Sequence, residues 1–196
     1  MTSRPYHHGD LRRELLRRAA AMIDEVGPTH VSLRALARRA GVSHAAPAHH
    51  FGDKRGLLTA VAAEGFTLLA DRLTAVLADT GELLEVGVAY VEFAVTHRAH
   101  FEVMFRPDLY DPTAPELLAA RSQSTHALAA AVGTLPEAPS GTTGRTEELA
   151  AWSLVHGFAN LWLTGAFPPD LGDDPASAAR QVARVLFAPS TADHFH

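Results

Sequence analysis

Nowhere in this 196-residue sequence do apolar and polar residues alternate with a period of two; the apolar positions recur every third and fourth residue, with Gly and Pro between the runs. That pattern leaves no half-buried sheet and asks for helices packed on helices. Leu11, Leu15, Met22 and Val26, with Ala19 and Ile23 beside them, form one stripe that Gly27-Pro28 ends, and Arg12, Arg13, Arg17 and Arg18 take its outer side. Ser32 is placed to cap a short second helix with Leu33, Leu36, Ala37 and Ala40 at i, i+3, i+4 and i+7, and Gly41 stops it. Ser43 is placed to cap a third helix that reaches about Phe51-Gly52. If the cap is His44 instead, the N–H that Pro47 lacks is one a first turn leaves unpaired anyway. Asp53 caps a long fourth helix, running through Leu57, Leu58, Val61, Phe66, Leu69, Leu73, Val76 and Leu77 to Thr80-Gly81. Further helices are expected near 83–97, 99–105, 114–133, 146–164 and 175–187, and the break Thr134–Gly144 is the expected disordered loop.

Charge separates the chain into two parts. Of 17 basic and 22 acidic side chains, residues 1–55 hold ten basic and five acidic, a net of +5, which leaves −10 on the remainder. A basic head on an acidic body suits a polyanion at the head alone. With no cysteine, disulfides, thiolate zinc sites and cysteine nucleophiles are excluded. Met1–His8 lacks the apolar core of a signal peptide, so the protein is expected in the cytoplasm. The charge-free stretch between Glu148 and Asp170 is long enough to span a bilayer, but Ser153, His156, Asn160 and Thr164 within it point to a buried helix.

Enzyme chemistry finds no constellation here: there is no G-x-S-x-G, P-loop or dinucleotide-binding glycine pattern, and no cofactor is implied. His97-x-x-His100, with Glu102 near, places two imidazoles on one helical face, but Arg98 stands between them and no HExxH accompanies them, so no metal site is assigned.

In the basic head, two short helices joined through Gly41-Val42-Ser43 behind a first arginine-rich helix have the layout of a helix-turn-helix DNA reader. Gly41 supplies a positive φ, Val42 plugs the core, and the third helix presents its N-terminus to the groove. The string Ser32-Leu33-Arg34-Ala35-Leu36-Ala37-Arg38-Arg39-Ala40-Gly41-Val42-Ser43, with His49-His50-Phe51-Gly52-Asp53-Lys54 and Leu57-Leu58 after it, resembles the TetR-type transcriptional regulators. The resemblance covers about the first 60 residues. Trp152-x-x-x-His156-Gly157 is similar to the C-terminal signature of one subgroup, whose recognition helix Ala45-Ala46-Pro47 also resembles. The family usually has Tyr where this chain has Ala48.

The resemblance implies an all-α chain: a three-helix DNA-binding head over 1–55, linked by a long helix to a helical effector-binding and dimerisation body over 56–196. The expected DNA contacts are Ser32, Arg34, Ser43, His44, Ala45, Ala46, Ala48, His49 and Lys54, on a double-stranded pseudo-palindromic operator. Arg34 and His44 are the base-edge donors, Ala45, Ala46 and Ala48 reach thymine methyls, and Ser32, Lys54 and the Arg12/Arg13 edge meet phosphates. His50 is expected to pack against helix one. Most of the body's aromatics, Phe158 and Trp162 included, are expected to be core. Tyr90, Phe93, Phe101, Met104, Phe105, Gln123, Trp152, His156 and Asn160 are the expected lining of an effector cavity. A homodimer is expected through 146–164 and 175–187, where Ala178, Ala179, Val182, Ala183, Val185 and Leu186 give the last helix a small apolar face. The function this implies is that of a repressor released by a small molecule. Ala48 leaves a second reading open, a helical ligand-binding or enzymatic protein whose head no longer binds DNA.

Overall fold

The computed structural model describes residues 8–134 and 142–187, helical with no strand among them. In chain order they are α1 (His8–Val26), a 3-10 turn (Pro28–His30), α2 (Leu33–Ala40), α3 (Ala45–Phe51), α4 (Lys54–Thr80), α5 (Leu83–Thr96) and α6 (Arg98–Met104). There follow α7 (Pro115–Val132), α8 (Thr142–Leu163), a second 3-10 turn (Pro169–Leu171) and α9 (Pro175–Phe187). The period-3.6 reading therefore holds along the described chain. Residues 135–141, most of the loop expected at 134–144, lie outside the described residues.

The chain divides into two compact units, Met1–Asp71 with His97–Thr125, and Arg72–Thr96 with His126–His196. The functional boundary expected at 55/56 falls inside the first turn of α4, within the first unit.

In the first unit the α1 stripe buries Leu15, Ala19, Met22 and Ile23, α2 packs on α1 with its Leu36 and Ala37 buried, and Leu57, Leu58 and Val61 of α4 are buried in the same unit. Each of the Leu, Ile, Val and Met side chains contributes about 1.5–3 kcal/mol by leaving water, and each alanine methyl about 0.8 kcal/mol. Val26, expected in the same stripe, is exposed. It is the last helical residue before Gly27 turns the chain at φ 75°, so no neighbour covers it. Helix α6 packs on α1 and on the first 3-10 turn, which makes it part of the same body as the head.

In the second unit α5 is central. Leu83, Val86, Val88, Ala89, Tyr90, Val91, Phe93 and Ala94 are all buried, because α8 and α9 both pack against it. Val88, Val91, Phe158, Ala178 and Ala179 form the core, with Trp162 and Phe167 at its margin. Arg180 of α9 grips Glu85 of α5 through two bonds, Nε to Oε1 at 2.9 Å and Nη2 to Oε2 at 2.7 Å. That fork holds the Glu85 carboxyl below the usual carboxylate range. Among the described residues no helix is long and apolar enough to cross a membrane.

Candidate nucleic-acid interface

Ser32 caps α2 as the sequence suggests, its Oγ accepting from the Ala35 N–H at 3.2 Å. A hydroxyl so used keeps its own proton for a further acceptor. Gly41 closes the helix in the left-handed region at φ 67°, and two bonds complete the turn: Gly41 N–H to Arg38 O at 3.3 Å and Val42 N–H to Ala37 O at 3.1 Å. This paired arrangement is the Schellman motif, and it needs a residue without a Cβ penalty at Gly41. Val42 is half-buried rather than a full plug.

The start of α3 corrects one expectation. Ser43 does not cap the helix: His44 is the N-cap, no side-chain bond is made there, and Ser43 contributes its backbone carbonyl to Ala46 N at 3.0 Å. Pro47 then stands at the third helical position, where its missing N–H costs nothing. Its ring is buried. Ser32, Arg34, Ser43, His44, Ala45, Ala48 and His49 are exposed, while Ala46 and Lys54 are half-buried, so the expected DNA contacts are gathered on α2, α3 and the start of α4 in one unit. Lys54 Nζ donates to the Thr29 carbonyl, which fixes the ammonium without neutralising it.

The arginines of the head fall into two sets. Glu14 takes bonds from Arg17 and Arg18, which pull its carboxyl down to about 2, and Arg18 also donates to the Arg39 carbonyl. Arg39 pairs with Glu25. Arg34 and Arg38, one turn apart on the exposed side of α2, have no ion-pair partner among the described residues, which leaves their full charge for an outside anion. Arg12 lies over the Phe51 ring at 5.6 Å and, with half-buried His50, lines an open cleft of about 180 Å³ that Thr59, Asp111 and Glu116 complete. His50 thus shares this cleft with Arg12 of α1, while its ring meets those of His49 and Phe51 on its own helix.

The nine residues expected around an effector divide between the units. Phe101, Met104, Phe105 and Gln123 belong to the first. There Phe101 and Phe105 meet edge to face at 5.1 Å, and Phe66 meets Phe105 at 5.7 Å. Gln123 is exposed, since its register places it off the buried stripe Leu117, Ala120, Ser124 and Ala127. Tyr90, Phe93, Trp152, His156 and Asn160 belong to the second unit. Tyr90 OH lies 2.9 Å from His156 Nδ1 and accepts from Trp152 Nε1 at 3.3 Å. Asn160 is exposed and its Nδ2 donates to the His156 carbonyl at 2.9 Å. The crevice beside Tyr90, lined by Leu83, Val86, Gly87, Ala151 and Val155, holds about 20 Å³, room for about one water.

His100 Nε2 lies 3.0 Å from Glu64 Oε2, joining α6 to α4, and among the described residues no three His, Cys, Asp or Glu side chains gather as metal ligands.

Residues 15–61 match the model of the tetR family of bacterial regulatory proteins, and residues 83–186 match the tetracyclin repressor-like C-terminal domain. The chain belongs to the TetR family.

Against curated TetR-type relatives, it is 35% identical over 71 residues to the HTH-type transcriptional regulator BetI of Stenotrophomonas maltophilia (strain R551-3), 36% of each chain. The matched stretch thus spans about a third of that relative. Among solved structures, a protein of unknown function from Rhodococcus sp. RHA1 is 32% identical, with a TM-score of 0.73 over 93% of this chain and 96% of that one. AibR, solved in complex with isovaleryl coenzyme A and operator DNA, shares the fold at 18% identity and a TM-score of 0.62, covering 91% and 98%. A transcriptional regulator from Saccharomonospora viridis, solved with choline, does so at 19% identity and 0.66, covering 91% and 96%.

In this TetR-family chain the bonding role of Tyr90, expected only as cavity lining, and the residue Thr59 altogether escape a reading of the sequence. Tyr90 is the shared partner of Trp152 and His156, yet it lies more than sixty residues away from them. Thr59 is buried in the run Leu57–Val61. A lone hydroxyl among buried apolar neighbours was the available signal, since such a group needs a partner.

Proposed function

We propose that this chain is a homodimeric, DNA-binding transcriptional regulator, a repressor that leaves its operator when the helical body takes up a small molecule. The observation that carries this reading is the exposed front of α3 beside the unpaired Arg34 and Arg38. The head over 1–55 reads the duplex, and 56–196 binds effector and partner. It acts by binding, not by catalysis, and works in the cytoplasm. Trp152, His156 and Gly157 support membership of the subgroup that carries a Trp-x-x-x-His-Gly signature. Operator DNA and isovaleryl coenzyme A on AibR, and choline on the Saccharomonospora protein, support the pairing of a duplex with a small effector. Leu149 and Leu161 of α8 and Val185 of α9, all exposed, support a second copy docking on those helices.

The direct test is selection of duplexes from a random pool, followed by sedimentation of the complex. Enrichment of a two-fold symmetric sequence bound by two chains is the expected result. Recovery of no sequence, with the protein folded, would return the chain to the reading of a head that no longer binds DNA.

A further inference from the structure

Thr59 is 3% exposed and makes two bonds with one hydroxyl. Its Oγ1–H donates to the Arg55 carbonyl at 2.8 Å, the usual use of a threonine inside a helix. The lone pairs left over accept the Asp111 N–H at 3.0 Å, across 52 residues of chain. The neighbouring residue is the second anchor: Tyr110, 2% exposed, donates its hydroxyl to the Met104 carbonyl at 2.8 Å, in the last turn of α6. The segment after α6 is therefore held at adjacent residues to α6 on one side and to α4 on the other.

The α4 turn that Thr59 grips is in turn keyed to the recognition helix. Gly56 lies so close to the end of α3 that a Cβ there would stand 1.9 Å from the Phe51 carbonyl oxygen. Its N–H is held by Asp53 Oδ1 at 2.8 Å, and Lys54 is held by the Thr29 carbonyl. Little slack is left between Met104 and Phe51.

Resting on the regulator reading, we propose that Thr59 is a positioning residue. Its hydroxyl couples the segment 105–114 to α3, so that a displacement of Phe101 or Phe105 reaches the DNA-reading surface through this bond and not only along the length of α4. The bond's value lies in the pair of partners it joins, which an apolar side chain of the same shape does not replace.

The test is amide hydrogen exchange on the full chain, wild type against Thr59→Val, Thr59→Ser and Tyr110→Phe. Thr59→Val is expected to speed exchange about tenfold in 105–114 and also in 45–51. Thr59→Ser should restore both segments. Tyr110→Phe should speed 105–114 alone, since it loosens the segment without touching the α4 bond. If Thr59→Val fails to fold, Asp111→Pro removes the same bond from its donor side without disturbing the buried helix. Unchanged exchange in 45–51 when the bond is broken overturns the proposal, and so does failure of serine to rescue. For a duplex selected by the wild-type protein, Thr59→Val should weaken binding about tenfold with sequence preference kept. Should the wild type select no duplex, the regulator reading fails by itself, and the exchange measurements still judge Thr59.

Discussion

The Tyr90 hydroxyl stands between two α8 side chains, 2.9 Å from His156 Nδ1 and 3.3 Å from Trp152 Nε1. An indole N–H only donates, so the tyrosine oxygen accepts it, and the arrangement that uses every proton has the tyrosine giving its own to Nδ1. His156 is then neutral, with its remaining proton on Nε2. Burial pushes the tyrosine hydroxyl up, which keeps it a donor, and pushes His156 below the ordinary histidine value.

From this follows a pH dependence with a definite sign. A group whose folded pKa is depressed contributes fully above its unfolded value, about 6.5 for histidine, and loses that contribution as pH falls towards the folded value. Thermal melts from pH 8 to pH 5 should show a loss below about 6.5 that His156→Gln removes in part. Parallel profiles for the two proteins would place the acid sensitivity elsewhere among the twelve histidines.

Arg34 and Lys54 should separate recognition from attraction. Lys54→Ala should lower the slope of log affinity against log salt by about one unit and leave the preferred sequence alone. Arg34→Ala should cost about 1–3 kcal/mol and relax the preference at one base pair in each half-site. Arg39, paired with Glu25, is the control, and its alanine variant should change the preferred sequence not at all. Salt titrations on matched and mismatched duplexes measure all three.

Gly56→Ala tests the close approach of α3 to α4. The obstacle is the Phe51 backbone carbonyl, not the end of a flexible side chain, so one of the two helices must shift. Overpacking of this kind costs about 1–3 kcal/mol. Denaturant titration should show that loss, and duplex affinity should fall further than the stability change alone explains.

Gly157→Leu probes the partner surface. A Cβ on Gly157 would meet nothing within 4 Å in the protomer, so the chain should fold with an unchanged helical spectrum. Two copies packed through α8 should nevertheless be driven apart, and sedimentation should report a monomer. A dimer of unchanged affinity would move the interface off this helix.

What the sequence disclosed and what it withheld follows from the range of each interaction. Ser32, Gly41 and the stripe Leu15–Ile23 were legible because caps and helical faces are settled within four or five residues of chain. The cap of α3 was open between Ser43 and His44, and only the folded chain decides it: α3 begins at Ala45, and no side-chain bond is made at His44 before it. Trp152, His156 and Asn160 stand four residues apart in the sequence, which sets them on one stripe of α8. Their partners were not legible: Tyr90 reaches two of them from another helix, while Asn160 turns back on its own backbone. The same limit applies to Thr59 and Asp111. Burial of a hydroxyl shows that a partner is needed, and only the folded chain says which.

Helix α3 keeps its anchoring and its display on separate residues. Pro47 and Phe51 are buried, while Ala45 and Ala48 face outward with nothing beyond a methyl group. Side chains written onto those two positions would meet solvent in the free protein and leave the buried anchor untouched; on the proposed reading of α3 as the helix that enters the groove, they would meet a base edge there. On that reading the alanines are a blank template, and Arg, Asn or Gln libraries at the two sites should select new operators.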